Sequence, residues 1–161
     1  MPMVDLRAML EKLNLQNVTT YIQSGNIAFD STETDIGILE KRIKTGIQAV
    51  FGFDVPVLVK SKSNFESIII QNPYTDKETI EKKQVYFVLL KSIPAPELVK
   101  ALQIEIYENE KCFVSEDCVY LFCQTGYGKA KLNNNLIERK LKVEATTRNY
   151  RKMMKLLEMS K

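Results

Sequence analysis

The sequence predicts an α+β protein with mostly antiparallel sheets and helices packed on them. Several segments carry apolar residues at helical spacing, and short segments rich in β-branched and aromatic residues lie between them. The apolar fraction of 45% and the charged fraction of 27% are typical of a globular protein. A chain of 161 residues is long enough for one domain or for two small halves.

The first half of the chain is predicted as helix, strand, strand, helix and strand. Apolar residues three or four positions apart predict the helices, and Gly52 is a typical helix-ending glycine. Pro56 favours an edge strand or a strand start. The predicted elements are a helix over residues 3–14, strands over 18–22 and 27–29, a helix from a cap at Thr32 or Thr34 to Gly52, and a strand over 55–59.

The second half is predicted to add a leading strand to the same pattern. That strand, residues 85–90, is almost continuously apolar, which indicates burial on both faces. The other elements are a helix from a cap at Ser63 to residue 70, a charged connection over 74–83, a helix over 94–102, a hairpin over 111–114 and 118–124, and helices over 132–141 and 147–159.

This order predicts two similar split-βαβ, ferredoxin-like halves. They span residues 1–72 and 84–161, with a connector over 73–83, and the second half ends in basic helices. The first half has no leading strand, and in this fold that strand is central. Its neighbours at 27–29 and 55–59 would expose hydrogen-bonding edges. We therefore expect a homodimer with residues 17–30 or 54–60 at or near the interface.

Composition argues against a membrane protein, a metal site and histidine-dependent catalysis. No apolar run is long enough to cross a bilayer, and residues 1–5 have no basic-then-apolar signal region, so we expect a cytoplasmic protein without a membrane partner. The chain has no histidine, the usual general base and zinc ligand. Its cysteines, Cys112, Cys118 and Cys123, have no metal-ligand or redox spacing. We predict neither metal nor cofactor.

Positive charge is concentrated near the C-terminus. Residues 125–161 contain ten Lys or Arg and three Glu, a balance of +7, whereas the preceding residues balance at −4 and the whole chain at +3. Such asymmetry indicates either an anion-binding face or a solvated basic helix surface.

Two glycine-containing polar segments are the first candidates for a site. Gln23, Ser24, Gly25 and Asn26 separate two predicted strands, where a plain hairpin turn is the alternative interpretation. Residues 126–131 separate a strand from a helix, where glycines and a helix N-terminus favour an anion. The alternative there is a flexible link, because the segment matches neither a phosphate-loop nor a dinucleotide motif.

Residues 133–135 and 146–149 are the other candidates. Each run precedes a predicted helix, so one Asn and one Thr are expected as caps. Arg148 offers either a planar fork to phosphate or carboxylate, or a structural ion pair. The complete set of candidate ligand-binding residues is Gln23, Ser24, Gly25, Asn26, Gly126, Tyr127, Gly128, Lys129, Lys131, Asn134, Arg148 and Asn149.

Residues 20–27 (TYIQSGNI) resemble the hallmark of a widespread bacterial family, the domain of unknown function 1697 family. The resemblance continues at residues 126–132, 134 and 145–150, with Ala130 and Tyr150 where the family has Ser and Trp. It implies an α+β fold of two related halves and no named activity. Members open with an apolar strand and an Arg-Gly-Ile-Asn-Val-Gly-Gly-like loop, so this chain is expected to be an N-terminally shortened member.

Three hypotheses of function remain open. The first is a binding module for an anionic small molecule or nucleic acid, in which Lys129, Lys131 and Arg148 neutralise charge. Gln23, Asn26 and Asn134 would donate or accept hydrogen bonds, and Tyr127 would stack. The second is a transferase- or hydrolase-type enzyme using the same loops, with Tyr127 or Lys129 transferring a proton. The third is a structural role through sheet edges.

Overall fold

The chain forms two units. In the computed structural model, which describes residues 2–21 and 25–160, unit 1 comprises residues 1–65 and 154–161, and unit 2 comprises residues 66–153. The predicted connector at 73–83 lies inside unit 2. None of the helices within the described ranges is long and apolar enough to span a bilayer.

Unit 1 contains two helices on a two-stranded antiparallel sheet. Its elements are α1 (Met3–Lys12), β1 (Gln16–Tyr21), β2 (Asn26–Asp30) and α2 (Ile36–Phe51). The strands pair with Thr19 opposite Ala28 and Tyr21 opposite Asn26. The helices bury their apolar faces in one cluster that includes Leu6, Leu10, Leu39 and Ile43, as the helical spacing predicted.

Two helix caps predicted for unit 1 are wrong. Asp35, and not Thr32 or Thr34, caps α2, because its Oδ1 accepts a hydrogen bond of 3.1 Å from the Ile38 N–H. Gly52 ends the helix as predicted, in the left-handed conformation with φ 77°. Similarly, the Asn64 N–H bonds to Ser61 Oγ at 3.2 Å, so Ser61 takes the capping role assigned to Ser63.

The strand predicted over residues 55–59 is wrong. Val55, Val57 and Val59 pack on the unit 1 cluster as alternating strand residues would, but within the described residues positions 53–58 form no backbone-to-backbone hydrogen bond. The Val59 N–H instead bonds to the side chain of Glu40 at 2.9 Å. A strand exists only where a neighbouring backbone completes its ladder, and among the described residues this segment has the apolar alternation without such a neighbour.

Unit 2 is a complete split-βαβ arrangement preceded by two helices. In chain order the elements are α3 (Lys62–Ile70), α4 (Lys77–Glu81), β3 (Val85–Leu90), α5 (Pro96–Ile104), β4 (Glu110–Ser115), β5 (Cys118–Cys123), α6 (Asn134–Leu141), β6 (Ala145–Asn149) and α7 (Tyr150–Met159). Helices α3 and α7 cross the limits between the units. The four strands are antiparallel in the order β4-β5-β3-β6. This is the ferredoxin-like order and confirms the predicted fold class.

Strand β6 was not predicted, because its polar residues were interpreted as a cap for the last helix. Its backbone pairs with the central strand β3, with Thr147 opposite Val88 and Arg148 opposite Phe87. Residues 145–149 therefore form an edge strand and not a helix cap, because their backbone pairs with an apolar strand that is distant in sequence.

The two faces of the unit 2 sheet have different coverings. Val88, Val119 and Leu121 pack with Leu102 of α5 and Ile137 of α6 in one cluster. Because side chains alternate along a strand, Phe87 and Tyr120 point to the opposite face. There the Tyr120 hydroxyl donates a 2.6 Å hydrogen bond to the Ile68 carbonyl oxygen of α3.

Candidate functional site

The segment over residues 126–131, here the basic loop, leaves β5 and leads to α6. Gly126 has φ 90° and ψ 159°, a conformation that side chains other than hydrogen strongly disfavour. A 3₁₀ turn follows at Tyr127–Lys129. The backbone therefore requires glycine at position 126, independently of any ligand.

Tyr127 is held by contacts on both its ring and its hydroxyl. Its ring lies 4.9 Å from that of Tyr86. Its Oη accepts a 2.8 Å hydrogen bond from the Asn134 N–H, and its hydroxyl donates to Thr147 Oγ1 at 3.4 Å. These contacts connect the basic loop to α6 and β6, so the geometry favours a positioning role for Tyr127 over proton transfer.

Asn134 completes the same set of contacts. Its Oδ1 accepts a 2.8 Å hydrogen bond from the Thr147 hydroxyl, and its Nδ2 donates to the Ala145 carbonyl oxygen at 3.0 Å. We call Tyr127, Asn134, Ala145 and Thr147 the Tyr127 network. The structure thus brings Asn134 and Tyr127 together, with both ends of the Asn134 amide already bonded within the protein.

Glu110 holds the other end of the basic loop, and sequence analysis missed it. Its carboxylate accepts hydrogen bonds from the N–H groups of Lys131, at 2.9 Å, and Leu132, at 2.7 Å. Only 9% of Glu110 is exposed. The backbone donors that were expected to receive an anionic ligand therefore bind an internal carboxylate. In the sequence, Glu110 is only an acidic residue next to a predicted strand. That position does not identify a hydrogen-bond partner 21 residues away.

Lys129 and Lys131 are the exposed cations of the basic loop. Among the described residues neither forms an ion pair. Other basic residues nearby have partners: Lys140 Nζ lies 2.8 Å from Glu105 Oε1, and Arg139 and Lys140 occupy the last turn of α6, where they complement the helix dipole. Lys129 and Lys131 are therefore the exposed charge of the basic loop itself, and further exposed cations of unit 2 include Lys111 and Lys142.

Arg148 lies on the other face of the unit 2 sheet from Thr147. It is opposite Phe87 in the register, whereas Thr147 is opposite Val88 on the face of the Tyr127 network. Its guanidinium donates to Thr146 Oγ1 at 2.7 Å and to the Thr147 carbonyl oxygen at 3.0 Å. Desolvation by burial lowers the pKa of Arg148. The structure therefore does not bring Arg148 together with the network.

Asparagine side chains cap both α6 and α7. Asn133 caps α6, because its Oδ1 accepts from the Leu136 N–H at 2.9 Å. Asn149 accepts from the Lys152 N–H at 2.8 Å at the start of α7, so the predicted Thr cap is wrong. Both residues have the helix-terminal role that short polar side chains commonly serve.

The other predicted segment is only partly described. Gln23 and Ser24 lie outside the described residues. Gly25 has φ 75°, and Asn26 is 3% exposed at the start of β2 in unit 1. Gly126, Gly128 and the other residues of the basic loop belong to unit 2.

Comparisons with known proteins support a family and a fold without an activity. A family model described as "Protein of unknown function (DUF1697)" matches residues 1–120. No curated protein matches the chain significantly. The chain is similar to the solved structure of a conserved bacterial protein from Streptococcus pneumoniae, with a TM-score of 0.75 and 20% identity over 100% of this chain and 89% of the other. At this identity the similarity shows the fold alone.

Proposed function

Since the chain belongs to the family of proteins of unknown function termed DUF1697, we propose that it is a binding module that takes a phosphate-bearing ligand on its basic loop. The family was predicted from residues 20–27, 126–132, 134 and 145–150, and that prediction is confirmed by a match over residues 1–120. The observation that carries the proposal is the pair of exposed lysines, Lys129 and Lys131, neither of which forms an ion pair in the described part of the chain.

The anchoring of the basic loop supports this proposal. Glu110 holds the N–H groups of Lys131 and Leu132, and Asn134 holds Tyr127 through its backbone N–H. A loop restrained in this way loses little conformational entropy when it binds. Phosphate is the preferred ligand chemistry, because two lysines two positions apart attract an anion that carries several acceptor oxygens.

We expect weak, salt-dependent binding of a fluorescently labelled 20-nucleotide oligothymidylate. Each phosphate contact contributes a log–log salt slope of about −0.7 in a single strand. Replacing Lys129 and Lys131 together by Ala should weaken binding at low salt and reduce the slope by about 1.4. Fluorescence anisotropy between low and physiological salt measures both quantities.

The matched control for this experiment is the pair Lys77→Ala and Lys100→Ala. Both lysines are exposed in unit 2, so the control removes the same total charge from elsewhere. The proposal requires that the control retain the parent slope. Equal losses in the two double variants would mean that the effect comes from net charge. Salt-insensitive binding of one mononucleotide, lost in the Lys129→Ala, Lys131→Ala variant, would instead identify a small-molecule ligand of the basic loop.

We also propose that two copies associate through unit 1. In the described residues β2 pairs with β1 alone, and residues 53–58 form no backbone-to-backbone hydrogen bond. Such edges recruit further strands. Light scattering after size exclusion, at micromolar concentration, should give twice the 18.5 kDa of one chain.

A proline at Leu58 tests the proposed interface. Proline at this position removes one backbone donor from residues 53–58, while Val55, Val57 and Val59 keep their contacts. We expect Leu58→Pro to be monomeric and Ile104→Lys, on an exposed side chain of unit 2, to remain dimeric. A parent chain that elutes as a stable 18.5 kDa monomer contradicts the proposal.

A further inference from the structure

A second candidate site lies in unit 2, away from the basic loop in sequence. An open cavity of about 460 Å³ is lined by the segment before and within α4 and by the β4–β5 hairpin. Its volume falls within the range of small-ligand sites, roughly 300–1,000 Å³. We call it the Tyr74 cleft. Its lining includes Tyr74, Asp76 and Thr79 on the first wall, and Lys111 and Phe122 on the second.

Hydrogen bonds fix the first wall of the cleft. Asn72, which is 6% exposed, accepts from the Tyr74 N–H at 3.0 Å and donates to the Tyr74 carbonyl oxygen at 3.2 Å. Two residues later, Asp76 Oδ2 accepts from both the N–H and the hydroxyl of Thr79, each at 3.1 Å. The segment that carries Tyr74 is thus held at both ends, so the cleft is shaped before any ligand arrives.

The second wall brings an aromatic ring and a cation together. Lys111 and Phe122 are direct cross-strand partners of β4 and β5, so their side chains leave the same face of the sheet side by side. The Phe122 ring lies 6.1 Å from the Tyr74 ring, at an interplanar angle of 39°. The two rings supply an apolar surface for a flat group, next to a positive charge.

The polar groups of the cleft complement an anion joined to a ring with N–H donors. Lys111 is exposed and forms no ion pair within the described residues. Burial raises the pKa of Tyr74 to about 12. Like any tyrosine, it is a hydrogen-bond donor at neutral pH. Asp76 adds a carboxylate, an acceptor for N–H donors on the ligand.

We propose that the Tyr74 cleft binds a small ligand composed of a flat aromatic ring and an anionic group, with nucleoside monophosphates as the class that fits. The ring packs on Tyr74 and Phe122, and the phosphate meets the Lys111 ammonium. The Asp76 carboxylate accepts hydrogen bonds from the amino group of the base. This site differs from the basic loop, and it does not depend on the function proposed for that loop.

The test is a titration of the full chain with adenosine 5′-monophosphate, followed by ¹H–¹⁵N correlation spectra. We expect saturable shifts centred on the amides of Tyr74, Lys111 and Phe122. Adenosine, which lacks the anion, and inorganic phosphate, which lacks the ring, should each bind at least tenfold more weakly. Shifts confined to residues 126–134, or spread without saturation, would overturn the proposal.

Two variants separate this site from a general charge effect. Lys111→Ala should weaken binding about tenfold, the effect of losing roughly 1.4 kcal/mol, and Lys111→Arg should restore most of it. The Lys129→Ala, Lys131→Ala double variant should keep the saturable shifts at Tyr74, Lys111 and Phe122 with adenosine 5′-monophosphate, although its oligonucleotide binding is weakened. Undiminished binding by Lys111→Ala would refute the proposal. Should that variant be unfolded, Phe122→Leu serves in its place, with the same expected loss.

Discussion

Replacing Glu110 by Ala is expected to lower the free energy of unfolding by about 2–4 kcal/mol. The change removes the acceptor of two backbone N–H groups, those of Lys131 and Leu132. Leu132 is 1% exposed, so water cannot easily replace the lost partner. A hydrogen bond to a charged group contributes about 1.5–3 kcal/mol, and a buried donor left without an acceptor adds a desolvation penalty. Urea denaturation monitored by circular dichroism measures the difference.

Two substitutions serve as controls for Glu110→Ala. Glu110→Gln keeps an acceptor oxygen of similar shape and should lose about half as much stability. Glu108→Ala removes an exposed carboxylate nearby and should change stability by less than about 0.5 kcal/mol. Since Glu110 also restrains the basic loop, Glu110→Ala should weaken oligonucleotide binding although no cation is removed. An unchanged denaturation midpoint would show that the two contacts contribute little to stability.

Phe87→Ala is expected to have the largest effect on stability, a loss of about 3–5 kcal/mol. Phe87 is 0% exposed on the central strand β3. Its ring lies 5.6 Å from Tyr120, edge to face, and 6.3 Å from Tyr150. Truncation leaves a cavity beside Tyr120, whose hydroxyl bonds to α3, and Tyr150, the first residue of α7, so collapse into the gap is limited. For a chain of this size, the loss corresponds to a decrease in melting temperature of roughly 6–20 °C.

Phe113→Ala is the matched control for Phe87→Ala. Phe113 stacks on the same residue, Tyr120, with ring centroids 6.2 Å apart, but it lies on an edge strand and is 45% exposed. Removing it creates no enclosed cavity, so we expect a loss of about 1 kcal/mol. Differential scanning calorimetry of both variants measures the two stability losses. Equal losses would mean that the contact with Tyr120, and not burial, determines the cost.

Local features of the sequence predicted most helices and the central strand. The apolar run at Val85–Leu90 needs no partner to be recognised as buried, and it became the central strand of unit 2. Gly52 ends α2 because glycine adopts the left-handed conformation of a helix terminus without the steric cost that a side chain would add. Residues 145–149 and 55–59 were misassigned for one common reason: membership of a sheet depends on a distant backbone that local propensity does not report.

The same distinction applies to the candidate site. The sequence by itself determined the fold class, the family, the glycine at position 126 and the excess of positive charge over residues 125–161. Only the tertiary structure decided that Tyr127 and Asn134 bind each other, and that Glu110 occupies the backbone donors of the basic loop. It also decided that the side chains of Arg148 and Thr147 leave opposite faces of the sheet. Hydrogen bonds between distant segments and the alternation of side chains across a strand settle these roles, and both depend on register, which becomes defined only when the strands pair.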